Sequence, residues 1–201
     1  MREALLCQYQ SGDEAFRWHV LKPMLLDQVE LIIGGTKVRI LTSATGRDLN
    51  DISAMCRELE VRGFTDLSAQ ENKQDAFLPL AVAAISSRTL KLRTSVSIAF
   101  ARSPMSSAMM SWDIQAASQG RFTLGLGSQV KGHNVRRFSV PWSPPAPRMR
   151  EYVQSVRAIW NCWQNETRLE YHGEHYQFSL MTPNFAPAPL NTPMPKFRSQ
   201  Q

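Results

Sequence analysis

Between Lys37 and Ser179, short runs of apolar and β-branched residues alternate with stretches in which apolar positions return every three or four residues. Val38–Thr42 (VRILT) predicts a first strand. Asp48 then stands as an N-cap, with Leu49, Ile52, Cys56 and Leu59 at helical spacing and Gly63 as the stop. Phe64–Ala69 predicts a second strand, Leu78–Ser86 (LPLAVAAIS) an apolar helix, and Leu90–Phe100 a third strand. Ser103-Pro104 has the form of an N-cap followed by proline at the first helical position. The helix behind it carries Met105, Ala108, Met109 and Trp112 on one side and ends near Gly120. Arg121–Gly127 predicts a fourth strand, followed by a long loop containing Pro141, Pro144, Pro145 and Pro147. Met149–Gln164 is the clearest helix, with Tyr152, Val153, Val156, Ile159, Trp160 and Trp163 as its apolar stripe. Leu169–Ser179 reads as a β-hairpin turning near Gly173. From Pro183 the chain is proline-rich, and the pattern leaves no room there for further elements.

Strands alternating with helices predict a parallel sheet. The fold class expected is α/β: a partial TIM (β/α)8 barrel of about four βα units with a β-hairpin insertion. The 201 residues suit one domain but fall short of the roughly 250 of a complete barrel. The chain divides into an N-terminal extension over 1–36, a half-barrel domain over 37–182 and a proline-rich tail over 183–201. Within the extension, LKPMLLDQVELIIGG holds a helical or strand-like apolar run ending in Gly34-Gly35, either an added helix or sequence upstream of the real domain start.

Composition narrows the function classes. With 43% hydrophobic and 20% charged residues, the chain reads as a soluble globular protein. A net charge of +6 suits nucleic acid, an anionic membrane, a phosphate-bearing cofactor or simply a solvated basic surface, and does not choose among them. Nucleic acid is disfavoured because neither clustered aromatics nor a recognisable binding motif accompanies the charge. No apolar run reaches the roughly 18 residues needed to span a bilayer, and no signal peptide is read at the start. The three cysteines lack C-x-x-C spacing, which argues against a disulfide framework or zinc site and for a reducing cytoplasm. Cys56 and Cys162 fall in helical patterns as small core residues.

In such a barrel, chemistry sits just beyond the C-terminal ends of the strands. The candidates are therefore Glu71 and Asn72 after the second strand, Ser97–Arg102 after the third and Gly127–Arg137 after the fourth. Gly125 and Gly127 allow close backbone approach to a ligand. Their Gly-x-Gly lacks the remaining glycine of a dinucleotide fingerprint and is not followed directly by a helix, so a Rossmann reading is rejected. Lys131, His133, Arg136 and Arg137 form a basic cluster suited to phosphate, or else a solvated loop. His133 is a candidate proton donor, with plain surface polarity as the alternative. His172 and His175 flank a hairpin turn and are not taken as a metal pair; no metal site or catalytic triad is expected.

The run from Asp75 to Trp142, DAFLPLAVAAISSRTLKLRTSVSIAFARSPMSSAMMSWDIQAASQGRFTLGLGSQVKGHNVRRFSVPW, resembles the luciferase-like monooxygenase family. It looks closest to the branch predicted to use coenzyme F420. PPAPRMREYVQSVRAIWNCWQ and YHGEHYQFSLMTPNF continue the likeness. The resemblance runs from about Lys37 to Pro195, is most specific over Ala76–Pro183 and is absent over Met1–Thr36. It implies an oxidoreductase or monooxygenase acting on a small organic substrate with F420, or alternatively FMN. It also implies a non-prolyl cis peptide against the cofactor ring, at Ser95-Val96 or Ser97-Ile98. The cofactor-binding set it suggests is Ser95, Val96, Ser97, Arg102, Gly125, Gly127, Ser128, Lys131, Asn134, Arg136 and Arg137. Glu71, where the family has an acidic residue, and His133 are the catalytic candidates. Ser103 lies near the same place but is better explained as a helix cap.

Two departures stand out. The second strand carries Thr65–Ala69 where relatives often have an aromatic, and the chain stops at KFRSQQ where they continue into a fifth strand. The second reading is therefore a truncated relative without catalysis, a gene fragment or an interaction protein. Its open sheet edges would invite association of copies.

Overall fold

Asp48 opens the first described helix by accepting the Asn50 amide on its carboxylate at 2.9 Å. Ser103 does the same for the Ser106 amide at 3.1 Å, ahead of Pro104. Capping of this kind satisfies N–H groups that have no partner within the helix. The computed structural model describes residues 39–197 and the backbone at 32–33 and 36–37. Cys7, Val38 and most of the extension lie outside the described residues.

The elements run β1 (Ile32–Ile33), β2 (Thr36–Lys37), β3 (Leu41–Ser43), α1 (Leu49–Val61), β4 (Asp66–Ala69), α2 (Leu78–Ser86), β5 (Lys91–Thr94) and β6 (Ser97–Ile98). They continue with α3 (Pro104–Ala117), β7 (Phe122–Leu124), β8 (Leu126–Gly127), α4 (Lys131–Arg136), α5 (Pro145–Asn165), β9 (Tyr171–His172) and β10 (Gln177–Phe178). A 3-10 turn (Pro183–Phe185) and β11 (Lys196–Phe197) follow. The main sheet has the order β11-β7-β5-β4-β3, and every pairing in it is parallel. Helices α1, α2, α3 and α5 pack in succession outside it. Leu67, Leu92 and Leu124 from the strands join Ile52, Leu80, Trp112, Val156 and Ile159 from the helices in one core. This is the parallel α/β half-barrel that the alternating pattern predicts.

Arg121 ties one βα unit to the next. Its guanidinium donates to the carbonyls of Ala84 and Ser87 at 3.1 and 2.9 Å, at the C-terminal end of α2. It also reaches the Leu90 carbonyl and the Ser87 hydroxyl. Those terminal carbonyls lack intrahelical partners and attract a cation.

The structure corrects the sequence reading in five places. The third strand is interrupted at Ser95-Val96 and the fourth at Gly125, and the outer pieces β6 and β8 pair with each other apart from the main sheet. The loop after the fourth strand contains the short helix α4. Helix α5 starts at Pro145, because a first turn needs no intrahelical N–H donors and so tolerates the prolines. The tail expected to hold no elements carries the 3-10 turn and a fifth parallel strand, β11, beside β7.

Side chains anchor that extended tail in place of a ladder. Gln164 donates to the Leu190 carbonyl and accepts the Leu190 amide, both at 3.2 Å. Gln115 donates to the Pro193 carbonyl at 2.6 Å and accepts from the Phe122 amide at 2.8 Å. The Phe197 ring packs against Trp160 with centroids 5.1 Å apart.

Candidate active site

The broken strands build the rim. Thr94 ends β5, and the Ser95-Val96 peptide that follows is cis. The Ser95 amide donates to the Ala69 carbonyl at 2.7 Å, and the Glu71 amide donates to the Val96 carbonyl at 3.0 Å. Across the gap, the Ser97 and Ala99 amides donate to the Gly125 and Gly127 carbonyls at 2.9 Å each. The segment after β5 is thus held between β4 on one side and β8 on the other.

Both glycines are needed by close approach. A Cβ on Gly125 would run into the Thr94 backbone carbonyl, and one on Gly127 would lie 2.6 Å from the Val96 Cγ2. Neither glycine has a left-handed backbone.

A cavity of about 350 Å³ opens at this rim. Ser95, Val96 and Ile98 line one wall, Gln70, Glu71 and Asn72 a second, and Gly127 and Gln129 a third. Its lining is mixed, with polar Gln70, Glu71, Asn72, Ser95 and Gln129 beside apolar Val96 and Ile98. Gln70 and Gln129 were not singled out from sequence. Gln70 directly follows the last residue of β4, so the strand-end rule would have found it.

Glu71 and Arg102 meet in an ion pair. Both guanidinium nitrogens of Arg102 engage the Glu71 carboxylate, at 2.5 and 3.0 Å, and one also reaches Asp75 at 2.9 Å. The side chains are largely withdrawn from solvent, Arg102 at 17% and Glu71 at 8% exposure. Burial would lower the Arg102 pKa, but the two carboxylates hold it above the ordinary guanidinium value. Ser97 is buried, and its hydroxyl donates to Glu71 at 3.2 Å and accepts from Arg102 at 2.8 Å.

The other expected residues lie further out. Asn134 is buried and points inward, where its amide group donates to the Ser128 and Gln129 carbonyls at 2.9 and 3.3 Å. It shapes the loop before α4 and is not in the cavity lining. Lys131, His133, Arg136 and Arg137 are exposed on and beside α4. Arg137 donates to the Asn72 carbonyl at 2.7 Å, joining that loop to the one after β4.

Carboxylates of Glu151 and Glu174 and the His175 imidazole bring ligand-type atoms within 4.8 Å of one another. However, the Glu151 carboxylate already accepts the amides of Glu174, His175 and Tyr176 at the hairpin turn. A crevice of about 320 Å³ lies outside the sheet between α3, α5 and the 3-10 turn, away from the strand ends. Among the described residues, no helix is long and apolar enough to cross a membrane.

The family model for luciferase-like monooxygenases matches residues 33–197. The chain belongs to that family. It is 42% identical over 164 residues to an uncharacterized protein of Mycobacterium tuberculosis, a match covering 82% of this chain and 48% of that protein. The chain thus spans about half the length of the curated relatives it matches. An F420-dependent secondary alcohol dehydrogenase, solved with an F420-acetone adduct, superposes with a TM-score of 0.65 at 15% identity, over 81% of this chain and 52% of the other. The oxygenating constituent of a diketocamphane monooxygenase from Pseudomonas putida, solved with FMN, gives 0.62 at 13% identity, over 79% and 48%. These two likenesses establish the shared fold.

Proposed function

We propose that this luciferase-like chain supplies the cofactor-facing rim of an oxidoreductase that acts on a small organic substrate with coenzyme F420, or alternatively with FMN. The observation that supports this most is the rim cavity itself, with the Ser95-Val96 segment facing Gly127 across a gap where a Cβ would intrude. Neighbours of the same fold with F420 and with FMN support a ring of this shape.

The residues divide the work. Ser95 and Val96 present one face of the cavity to the ring with Ser97 buried behind them, and Gly127 keeps the opposite side open while Gly125 lets its strand close on Thr94. Ser128, Lys131, Arg136 and Arg137 are the candidates for the cofactor's phosphate; the last three are exposed on and beside α4, and cationic side chains favour that anion. Asn134 fixes the loop that carries them. His133, on the outer side of α4, is the proposed proton donor, and Arg102 acts from behind the wall. When bound, the cofactor supplies hydride chemistry or, as a flavin, reaction with oxygen.

The test is a titration of the purified chain with F420 and with FMN, following fluorescence together with oligomeric state. Saturable binding that weakens in Gly127→Val is expected, because a branched side chain would fill the cavity mouth. Absence of binding to both cofactors would overturn the proposal.

A further inference from the structure

Glu71 lies on the wall of the rim cavity, where a carboxylate invites a role in proton transfer. Its surroundings argue otherwise. One carboxylate oxygen accepts from the Ile98 amide at 2.7 Å, the Ser97 hydroxyl at 3.2 Å and Arg102 at 2.5 Å. The other accepts from Arg102 at 3.0 Å. A carboxylate offers about four lone-pair directions, two on each oxygen, so the first oxygen is saturated by its three donors and the second keeps one direction beside Arg102. All four come from the 97–102 stretch, from Ser97, Ile98 and both terminal nitrogens of Arg102, while the Glu71 backbone amide holds the Val96 carbonyl at 3.0 Å.

We infer that Glu71 is a positioning residue: it brackets the 96–98 segment from backbone and side chain at once, and so fixes the wall against which the cofactor ring lies. The bracket is itself anchored. Arg102 spans from Glu71 to Asp75, and the Asp75 carboxylate accepts the Phe77 and Leu78 amides at 2.6 and 3.1 Å at the start of α2. The cavity wall is therefore tied through two ion pairs to the end of a core helix. A proton taken up by the first oxygen would displace Ile98, Ser97 or Arg102, so positioning and proton transfer compete at this carboxylate. The part of this inference that concerns the ring rests on the proposed function above; the bracket does not.

Glu71→Gln separates the roles. It keeps the size of the side chain, but its amide nitrogen becomes a donor facing other donors. Hydrogen exchange at the Ile98 amide is expected to quicken about tenfold or more, the loss of one charge-assisted hydrogen bond, while exchange at Leu124 and Ile159 stays unchanged. Affinity for F420 and FMN should fall by a similar factor. Arg102→Lys, which keeps the charge and loses the two-pronged contact, should loosen Ile98 in the same way. Glu71→Asp, with a shorter reach, should restore part of the cofactor affinity relative to Glu71→Gln. If Glu71→Gln does not fold, Arg102→Lys and Ser97→Ala carry the exchange comparison. Unchanged exchange at Ile98 in folded Glu71→Gln overturns the bracket. Faster exchange with unchanged cofactor affinity overturns the link to the ring. If the wild-type chain binds neither cofactor, the proposed function and the link to the ring both fall, and the exchange comparison still decides the bracket.

Discussion

Thr94 and Gly125 form a closed hydrogen-bonded pair: the Thr94 hydroxyl donates to the Gly125 carbonyl at 2.7 Å and accepts the Gly125 amide at 2.8 Å. A side chain thus takes over the ladder at the point where the β5–β7 pairing stops. Gly125→Ala would drive a Cβ into the Thr94 backbone, which has little freedom to retreat. It is expected to cost about 2–3 kcal/mol in urea unfolding. Gly127→Ala meets a Val96 methyl, which can rotate away, and should cost about 1 kcal/mol or less while weakening cofactor binding. A larger stability loss at 127 than at 125 would refute this ordering.

Asp66 governs part of the acid stability. Its side chain is 1% exposed and is paired with Arg39 and Arg93. Burial would raise its pKa, but hydrogen bonds from Arg39 and Thr65 and the two positive charges hold it below the ordinary 3.8. A depressed folded pKa gives stability that is complete above the unfolded value and is lost as pH falls through the folded one. Unfolding free energy should therefore be flat from neutrality to about pH 5 and decline below about pH 4. Asp66→Asn should lose roughly 2–4 kcal/mol at pH 7 and show a shallower acid limb.

Tyr152 contributes with the opposite sign. Its hydroxyl bonds Ser107 at 2.6 Å and the Ser103 carbonyl at 3.1 Å, tying α5 to α3. Burial pushes its phenol well above the usual 10, so its stabilisation is complete below that value and is lost as pH rises beyond it. Tyr152→Phe is expected to cost about 1–2 kcal/mol at neutral pH and to flatten the alkaline limb of a chemical denaturation series.

Both described cysteines should be inert thiols in the native state. Burial, then the nearby Glu60 charge, pushes the Cys56 thiol up to about 11, and burial also raises Cys162. Alkylation at pH 8 followed by peptide mass spectrometry should find neither modified until denaturant is added. Native labelling of Cys56 would contradict the packing of α1.

Much of the architecture was legible in the sequence because local chemistry and periodicity agreed: Asp48 and Ser103 cap as expected, and the α5 stripe from Tyr152 to Trp163 is largely buried. The strand breaks were not legible as breaks, since SVSIAF keeps strand-like residues through the cis peptide and beyond. Strand β11 was missed because proline content argued against ladders, whereas Gln115 and Gln164 hold that backbone through long-range contacts that no local pattern encodes. At the site, the strand-end rule found Glu71, and the family resemblance pointed to Ser95-Val96. Neither could show that Arg102 points at carboxylates, because the partners lie 27 and 31 positions away.

Strand β4 begins at Asp66, and Glu71 lies just past its end, so arginine–carboxylate pairs fasten both ends of the same element. They differ in contact with the electrolyte. Of the two partners of Asp66, Arg39 is 51% exposed and Arg93 17%, whereas Arg102 at the other end is 17% exposed. Dissolved ions screen exposed pairs far more than withdrawn ones. Rising ionic strength should therefore loosen the Arg39 arm alone, leaving Arg93 to hold the start of the strand and Arg102 its end, so that salt frays an outer clasp without opening the inner ones.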